Sequence, residues 1–279
     1  MTGYYTIQEP CTELRPYIRG FHLADHQEQD IIINCPPTGY PLLGYIWRGI
    51  SQVRVNNQPL NDISSRNVHF AGQLKRTHAT VHWNGGMGHA VAEFTATGLH
   101  ELFGINGIDL INKTQPVHEL AENFANTLED QLAAAVKPIG FVEIFQKCLL
   151  QQIQYKRSIP AYISKAVKNI ESVNGVIKLN NLLEELDIEP RHFNRKFRQI
   201  VGLSPKYFCR IVQFNHVASI VLSDAQLPLA ELAAEAGFFD QSHFTKACNE
   251  FVLSSPRVFL QSDYSRISTF LRQMSHESS

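Results

Sequence analysis

The chain of 279 residues is poor in the features that announce most catalytic, secreted or membrane proteins. Its five cysteines (Cys11, Cys35, Cys148, Cys209, Cys248) are odd in number, widely scattered and never arranged as Cys-x-x-Cys. That spacing argues against a disulfide framework and against a structural zinc. No window approaches 18 uninterrupted apolar residues, and MTGYYTIQEPCTELRPY has no basic region followed by an apolar core, so a cytoplasmic location and no membrane partner are expected. There is no low-complexity tract and no linker longer than a few residues. Net charge is only −1, so the overall balance does not announce nucleic acid.

Chemical motifs are equally sparse. No Gly-x-Ser-x-Gly element, paired-carboxylate arrangement or Cys/His dyad stands out by spacing, and no enzymatic activity is expected. His69, His78, His82, His89 and His100 cluster in sequence with Glu93 nearby, but no His-x-His occurs. His78 and His82, four apart in a strand pattern, would share a face at about 13 Å separation, so neither a metal nor another cofactor is assigned. Asn84-Gly85-Gly86-Met87-Gly88 lacks the following lysine and helix of a phosphate cradle and reads as a hairpin turn. Trp47 and Trp83 read as core aromatics, with the wall of a ligand pocket as the sharper alternative.

What the chain does have is a pattern that occurs twice. HFNRKFRQIVGLSPKYF returns 51 positions later as HFTKACNEFVLSSPRVF, pairing His192, Phe193, Arg195, Ser204, Pro205 and Phe208 with His243, Phe244, Lys246, Ser255, Pro256 and Phe259. The preceding helices match at an offset of 50, Leu182-Leu183 against Leu232-Ala233. Each copy predicts a first helix with an inward apolar face, a tight turn and a second helix. In the first copy Phe193 and Phe197 bury one face, leaving Arg191, Asn194, Arg195 and Arg198 outward; in the second the outward set is Gln241, Ser242, Thr245 and Lys246. Such side chains donate to base edges and phosphates, and an α-helix fits the major groove of B-DNA. Asp240 should cap the second recognition helix, and Gly237 suits a turn that needs positive φ. From Arg191 to Arg210 there are six basic residues and no acid, a local positive field toward a phosphate backbone.

Elsewhere the periodicity divides the chain in two. Before Gly98, short β-branched and aromatic segments predict strands at Tyr17–Ala24, Leu42–Trp47, Ser51–Val55, Asn67–Ala71, Ala79–Trp83 and His89–Thr95. Turn formers at Pro36-Pro37-Thr38-Gly39, Arg48-Gly49, Asn56-Asn57 and Asn84-Gly85-Gly86 separate them, suggesting a barrel or sandwich able to enclose a small ligand. Beyond Gly98 the period is helical, with a short helix at Leu99–Phe103 and longer ones over Val117–Val136 and Phe141–Tyr155. The stripe Ile144, Phe145, Cys148, Leu149 and Ile153 reads as a core face, with a contact between two chains as the alternative. After a boundary at Ser158-Ile159-Pro160, helices are expected at 161–173, 178–186, 190–201, 204–223, 228–236, 240–252 and 255–273.

Residues 161–264 resemble the AraC/XylS family of transcription regulators. The resemblance rests on Arg195-Lys196-Phe197, Gly202-Leu203-Ser204-Pro205, Ala233, Gly237-Phe238, Asp240-Gln241-Ser242-His243-Phe244 and Ser255-Pro256. It implies two helix-turn-helix units joined by a long helix, Pro205 to Leu222, which would present both to one face of DNA about one turn, roughly 34 Å, apart. It also implies that Arg191, Asn194 and Arg195 in the first unit and Gln241, Ser242 and Lys246 in the second face the groove. The sequence departs from the family at Cys248, Asn249 and Glu250, at Leu253 where a glycine is usual, and at Gln213 where an arginine is common. These changes remove positive charge, so the first unit is expected to supply most of the affinity. The N-terminal half is similar, through Glu13-Leu14-Arg15-Pro16-Tyr17-Ile18 and Gly98-Leu99-His100-Glu101-Leu102-Phe103-Gly104, to an uncharacterised domain found ahead of this module.

The expected fold is therefore α+β and multidomain: an N-terminal β-rich, cupin-like barrel with helices, then an all-α domain with two helix-turn-helix units. The expected domains are 1–115 for sensing or dimerisation, 116–160 as a helical connector, and 161–279 for DNA binding. The expected partners are double-stranded DNA, a small-molecule effector, RNA polymerase and a second copy of the chain. The alternative is a ligand-binding or enzymatic cupin-like barrel whose degenerate helical domain no longer binds DNA.

Overall fold

The computed structural model describes residues 3–27, 30–55, 58–63, 67–135, 137–223 and 227–261. The N-terminal half builds one eight-stranded antiparallel sheet from β1 (Gly3–Gln8), β2 (Ile18–His26), β3 (Asp30–Cys35), β4 (Leu42–Val55), β5 (Gln58–Ile63), β6 (Asn67–Ala71), β7 (Ala79–Phe94) and β8 (Thr114–Pro116). Its order is β1-β2-β7-β4-β6-β8, with β3 added to β7 and β5 to β4. The expected closed barrel is corrected to an open sheet, because the end strands β1 and β8 do not pair with each other.

Two expected turns are also corrected. Arg48-Gly49 and Asn84-Gly85-Gly86 do not reverse the chain; they lie inside the long strands β4 and β7. The two sites are paired across the ladder, with Arg48 opposite Gly88 and Ile50 opposite Asn84, and register shifts on either side of Arg48. Gly49, Gly85 and Gly86 have φ of 77°, 77° and 90°, and a Cβ on Gly49 would lie 2.0 Å from the Gly86 carbonyl oxygen. Glycine here permits a shared bulge that bends both strands together, rather than a hairpin. Asn56-Asn57 lies outside the described residues.

Strand alternation gives the sheet two unlike faces. Phe21, Leu23, Leu43, Tyr45, Phe70, Ala90, Ala92 and Phe94 form a dry face under α1 (Gly98–Phe103), α2 (His118–Ala134) and α3 (Phe141–Gln152). Phe145, Cys148 and Leu149 of α3 are buried there, and Ile144 and Ile153 pack against the same cluster, so the stripe is a core face. The opposite face carries Ile46, Trp83 and Met87 together with His22, His69 and Glu93, all buried.

The C-terminal half is helical: α4 (Ala161–Ser172), α5 (Leu179–Glu185), α6 (Pro190–Val201), α7 (Pro205–Ser223), α8 (Leu229–Glu235), α9 (Gln241–Phe251) and α10 (Pro256–Gln261). The part of the last expected helix beyond 261 lies outside the described residues. One core joins these helices around Phe193, Phe197, Phe208, Phe214, Phe244 and Phe251, and it also takes in Tyr40 and Ala96 from the N-terminal half. Tyr40 is held edge-on to Phe208 with ring centres 6.3 Å apart, and its hydroxyl donates to Glu171 Oε1 at 2.9 Å. Asn215 Nδ2 donates to the Thr38 carbonyl at 2.7 Å, and Arg76 N donates to the Tyr207 hydroxyl at 2.7 Å.

Candidate nucleic-acid interface

The two helix-turn-helix units are α5–α6 and α8–α9. Local chemistry starts each second helix. Before α6, Glu189 accepts from Arg191 N at 3.0 Å and His192 N at 2.7 Å, with Pro190 at the first helical position. Those two amides hold the Glu189 carboxyl below the usual carboxylate range. Before α9, Asp240 Oδ1 accepts from His243 N at 2.7 Å. The helices that follow open alike: Ser204 Oγ accepts from Tyr207 N and Ser255 Oγ from Val258 N, both at 3.3 Å, and each serine precedes a proline. The Glu189 cap escapes a sequence reading centred on aspartate, asparagine and serine; its signal is the acid directly before Pro190.

The turns use the left-handed region in complementary ways. Asp187 (φ 50°) and Gly237 (φ 73°) occupy equivalent places between the first and second helices. A Cβ on Gly237 would come within 2.5 Å of Val176 Cγ2. After the second helices the pair is Gly202 (φ 91°) and Leu253 (φ 49°).

Burial then sorts each recognition helix. On α6, Phe193, Phe197, Ile200 and Val201 are buried, and Arg191, Asn194, Arg195 and Arg198 are exposed. On α9, Phe244, Ala247, Cys248 and Phe251 are buried, while Gln241, Ser242 and Lys246 are exposed and Thr245 is half-buried, its hydroxyl donating to the Gln241 carbonyl at 2.8 Å. The outward set is more cationic on α6, with three arginines against one lysine.

The departures noted in the sequence have structural occupations. Glu250 Oε2 receives Arg210 Nη2 at 2.6 Å, and that guanidinium also lies 5.4 Å from the Phe251 ring centre. One of the six cations of the basic run is thus drawn into packing between α7 and α9. Gln213 is buried and donates to the Ala236 carbonyl at 3.0 Å, satisfying the end of α8. Cys248 is fully buried, and burial pushes its thiol up to about 12, which makes it an inert core residue.

The far end of α6 rests on the N-terminal half. A Cβ on Gly107 would meet Gly202 N at 2.4 Å, so two glycine backbones touch, and Gln199 Nε2 reaches Asn106 Oδ1 at 3.3 Å. Nothing in the local pattern pointed to this contact.

Residues 182–262 match a protein family described as a helix-turn-helix domain. The melibiose operon regulatory protein of Escherichia coli (strain K12) is 24% identical over 110 residues, 39% of this chain; the chain spans 36% of that regulator's length. Among solved structures, ToxT from Vibrio cholerae aligns over 93% of this chain and 97% of its own at 12% identity and a TM-score of 0.45. The C-terminal domain of AraT, a response regulator from Geobacillus stearothermophilus, aligns over 38% of this chain and 88% of its own at 21% identity and a TM-score of 0.35. The class defined by the duplicated units is a double helix-turn-helix protein. Residues 182–262 of this chain form a helix-turn-helix domain.

Proposed function

We propose that the chain is a sequence-specific, DNA-binding transcription regulator of the AraC/XylS type, acting in the cytoplasm, whose N-terminal domain senses a small molecule. The observation that carries this reading is the sorting of α6 and α9. Each buries its aromatic stripe in a shared core and turns polar or cationic side chains to solvent, the arrangement a major groove can accept. Arg191, Asn194, Arg195 and Arg198 would engage DNA from the first unit, and Gln241, Ser242, Thr245 and Lys246 from the second. Among the described residues no helix is long and apolar enough to cross a membrane.

The pairing of Glu250 with Arg210 supports this reading over a helical domain that has lost DNA binding, because the acid that weakens the basic run has a packing role. The contact of α6 with Asn106 and Gly107 links placement of the first unit to the N-terminal domain. A ligand acts through such a link only by binding one domain arrangement better than another.

The test is fluorescence anisotropy of labelled fragments from the promoter regions around the coding gene, from 50 to 300 mM salt. A specific fragment should bind more tightly than scrambled DNA, with affinity falling steeply as salt rises. Equal, salt-insensitive affinity for both would overturn the assignment.

A further inference from the structure

The bent sheet holds a cavity of about 220 Å³ between its two wings. From one wing come Ile46, His69, Met87 and His89; from the other, beyond the shared bulge, come Ser51, Val53, Val81 and Trp83. The bulge also switches which residues of β4 face inward, even numbers before it (Leu42, Ile46) and odd numbers after it (Ser51, Val53, Val55).

Much of the cavity lining is apolar, Thr38, Ser51, Asn112, Lys113 and Thr114 add polar groups, and two imidazoles stand together in its wall. His69 and His89 are stacked with ring centres 5.7 Å apart, and Trp83 lies 5.2 Å from the His89 ring. Gly44 leaves room for both rings: a Cβ there would lie 2.5 Å from His69 Nε2 and 2.7 Å from His89 Nε2. His89 Nε2 is buried and makes no hydrogen bond to the protein, an arrangement that costs free energy unless something else supplies a partner.

We propose that this cavity is the effector site and takes a neutral, mainly apolar molecule of about bicyclic-ring size, carrying one hydrogen-bonding group beside the His69–His89 pair. The proposal rests on the reading of the N-terminal domain as a sensing domain. Size follows from volume: a cavity of about 150 Å³ accepts benzene, so one half as large again accommodates two fused rings or an alkyl chain of similar bulk. Neutrality follows from the lining. Its one cation, Lys113, is exposed at the rim, while burial, followed by the neighbouring His69 and His22, drives the His89 pKa well below the ordinary imidazole value. A carboxylate placed against His89 would therefore meet an uncharged ring and lose its hydration at a cost.

The same cavity touches the joint with the DNA-binding half. Thr38 and Tyr40 line it, and these residues make the contacts to Asn215, Phe208 and Glu171. A ligand that moves the Tyr40 ring would move a member of the C-terminal core.

The experiment uses full-length protein and two probes of equal shape, 2-naphthol and 2-naphthoate, titrated calorimetrically at pH 7. The expected result is saturable 1:1 binding of 2-naphthol at least tenfold tighter than of 2-naphthoate, with binding of 2-naphthol abolished in Val53→Trp. Equal or tighter binding of the carboxylate, or no binding of either probe to the wild type, overturns the proposal. So does unchanged naphthol affinity in a Val53→Trp protein that unfolds cooperatively; the comparison of probes stands on the wild type should that variant not fold. Promoter binding measured on the same preparation separates the two readings. DNA binding without naphthol binding sinks the cavity proposal alone, and naphthol binding without DNA binding sinks the regulator reading alone.

Discussion

Arg210 on the long helix α7 and Glu250 near the end of α9 meet at 2.6 Å, with side chains 30% and 26% exposed. The pair joins the helix between the two units to the second recognition helix, which is otherwise held to α7 by aromatic contacts such as Phe214 with Phe251, ring centres 5.2 Å apart. Glu250→Gln keeps the shape of the side chain and removes its charge. It should lower stability by about 1 kcal/mol, more at low salt than at high salt. Urea unfolding at two ionic strengths checks this; a loss of equal size at both would show that the charge is irrelevant.

Gly202 and Leu253 stand at the same place in the two copies, and both have positive φ. Leu253 occupies the left-handed region while 62% exposed, so it bears the backbone cost with little burial to offset it. Leu253→Gly should therefore stabilise the protein by about 0.5–1 kcal/mol, the relief of strain exceeding the entropy that glycine adds to the unfolded chain. A lower midpoint in thermal unfolding would contradict the strain argument.

If the first unit supplies most of the affinity, Arg195→Ala should weaken binding to a specific promoter fragment more than Lys246→Ala does. Each substitution should reduce the slope of log affinity against log salt by about one if its cation contacts a phosphate. A larger loss for Lys246→Ala would invert the ranking of the two units.

Glu93 and His22 make stability respond to pH in opposite directions. Burial pushes the Glu93 carboxyl up to about 7 against the pull of Arg19, whose Nε lies 3.2 Å away. The folded protein thus holds that proton more tightly than the unfolded chain. The resulting stability is full below the usual value of 4.5 and is lost as pH rises through about 7. His22 is driven down to about 3 by burial, with Arg19 adding to the effect, so its contribution is present above 6.5 and is lost as pH falls toward about 3. Glu93→Gln should remove the first dependence alone. Relative to wild type, the variant should gain roughly 1–3 kcal/mol between pH 5 and pH 8 in denaturant unfolding. A constant difference across that range would mean that Glu93 is ionised throughout.

The helical half was legible because its signals are local. The spacing of Phe193 with Phe197, the prolines at 205 and 256, and the acid at 240 act within one or two turns. The core stripe of α3 was readable for the same reason. In the sheet, local reading went wrong where residues far apart act together. Gly49 and Gly85-Gly86 each look like a turn, and only their pairing across β4 and β7 makes them a common bend. The strands β1, β3, β5 and β8 were missed; each is six residues or shorter and is placed by pairing with a neighbour.

By itself the amino-acid sequence determined that this protein carries two copies of one helical unit, and which side of each recognition helix meets water, because a 3.6-residue period and its caps need no distant partner. Tertiary structure alone decided that the sheet stays open, that a cavity lies in its bend and that the first unit rests on the N-terminal half. Those features depend on residues far apart in the chain, such as Gly49 with Gly86, Asn106 with Gln199 and Tyr40 with Glu171. No local preference encodes such a meeting; the packing of the whole chain does.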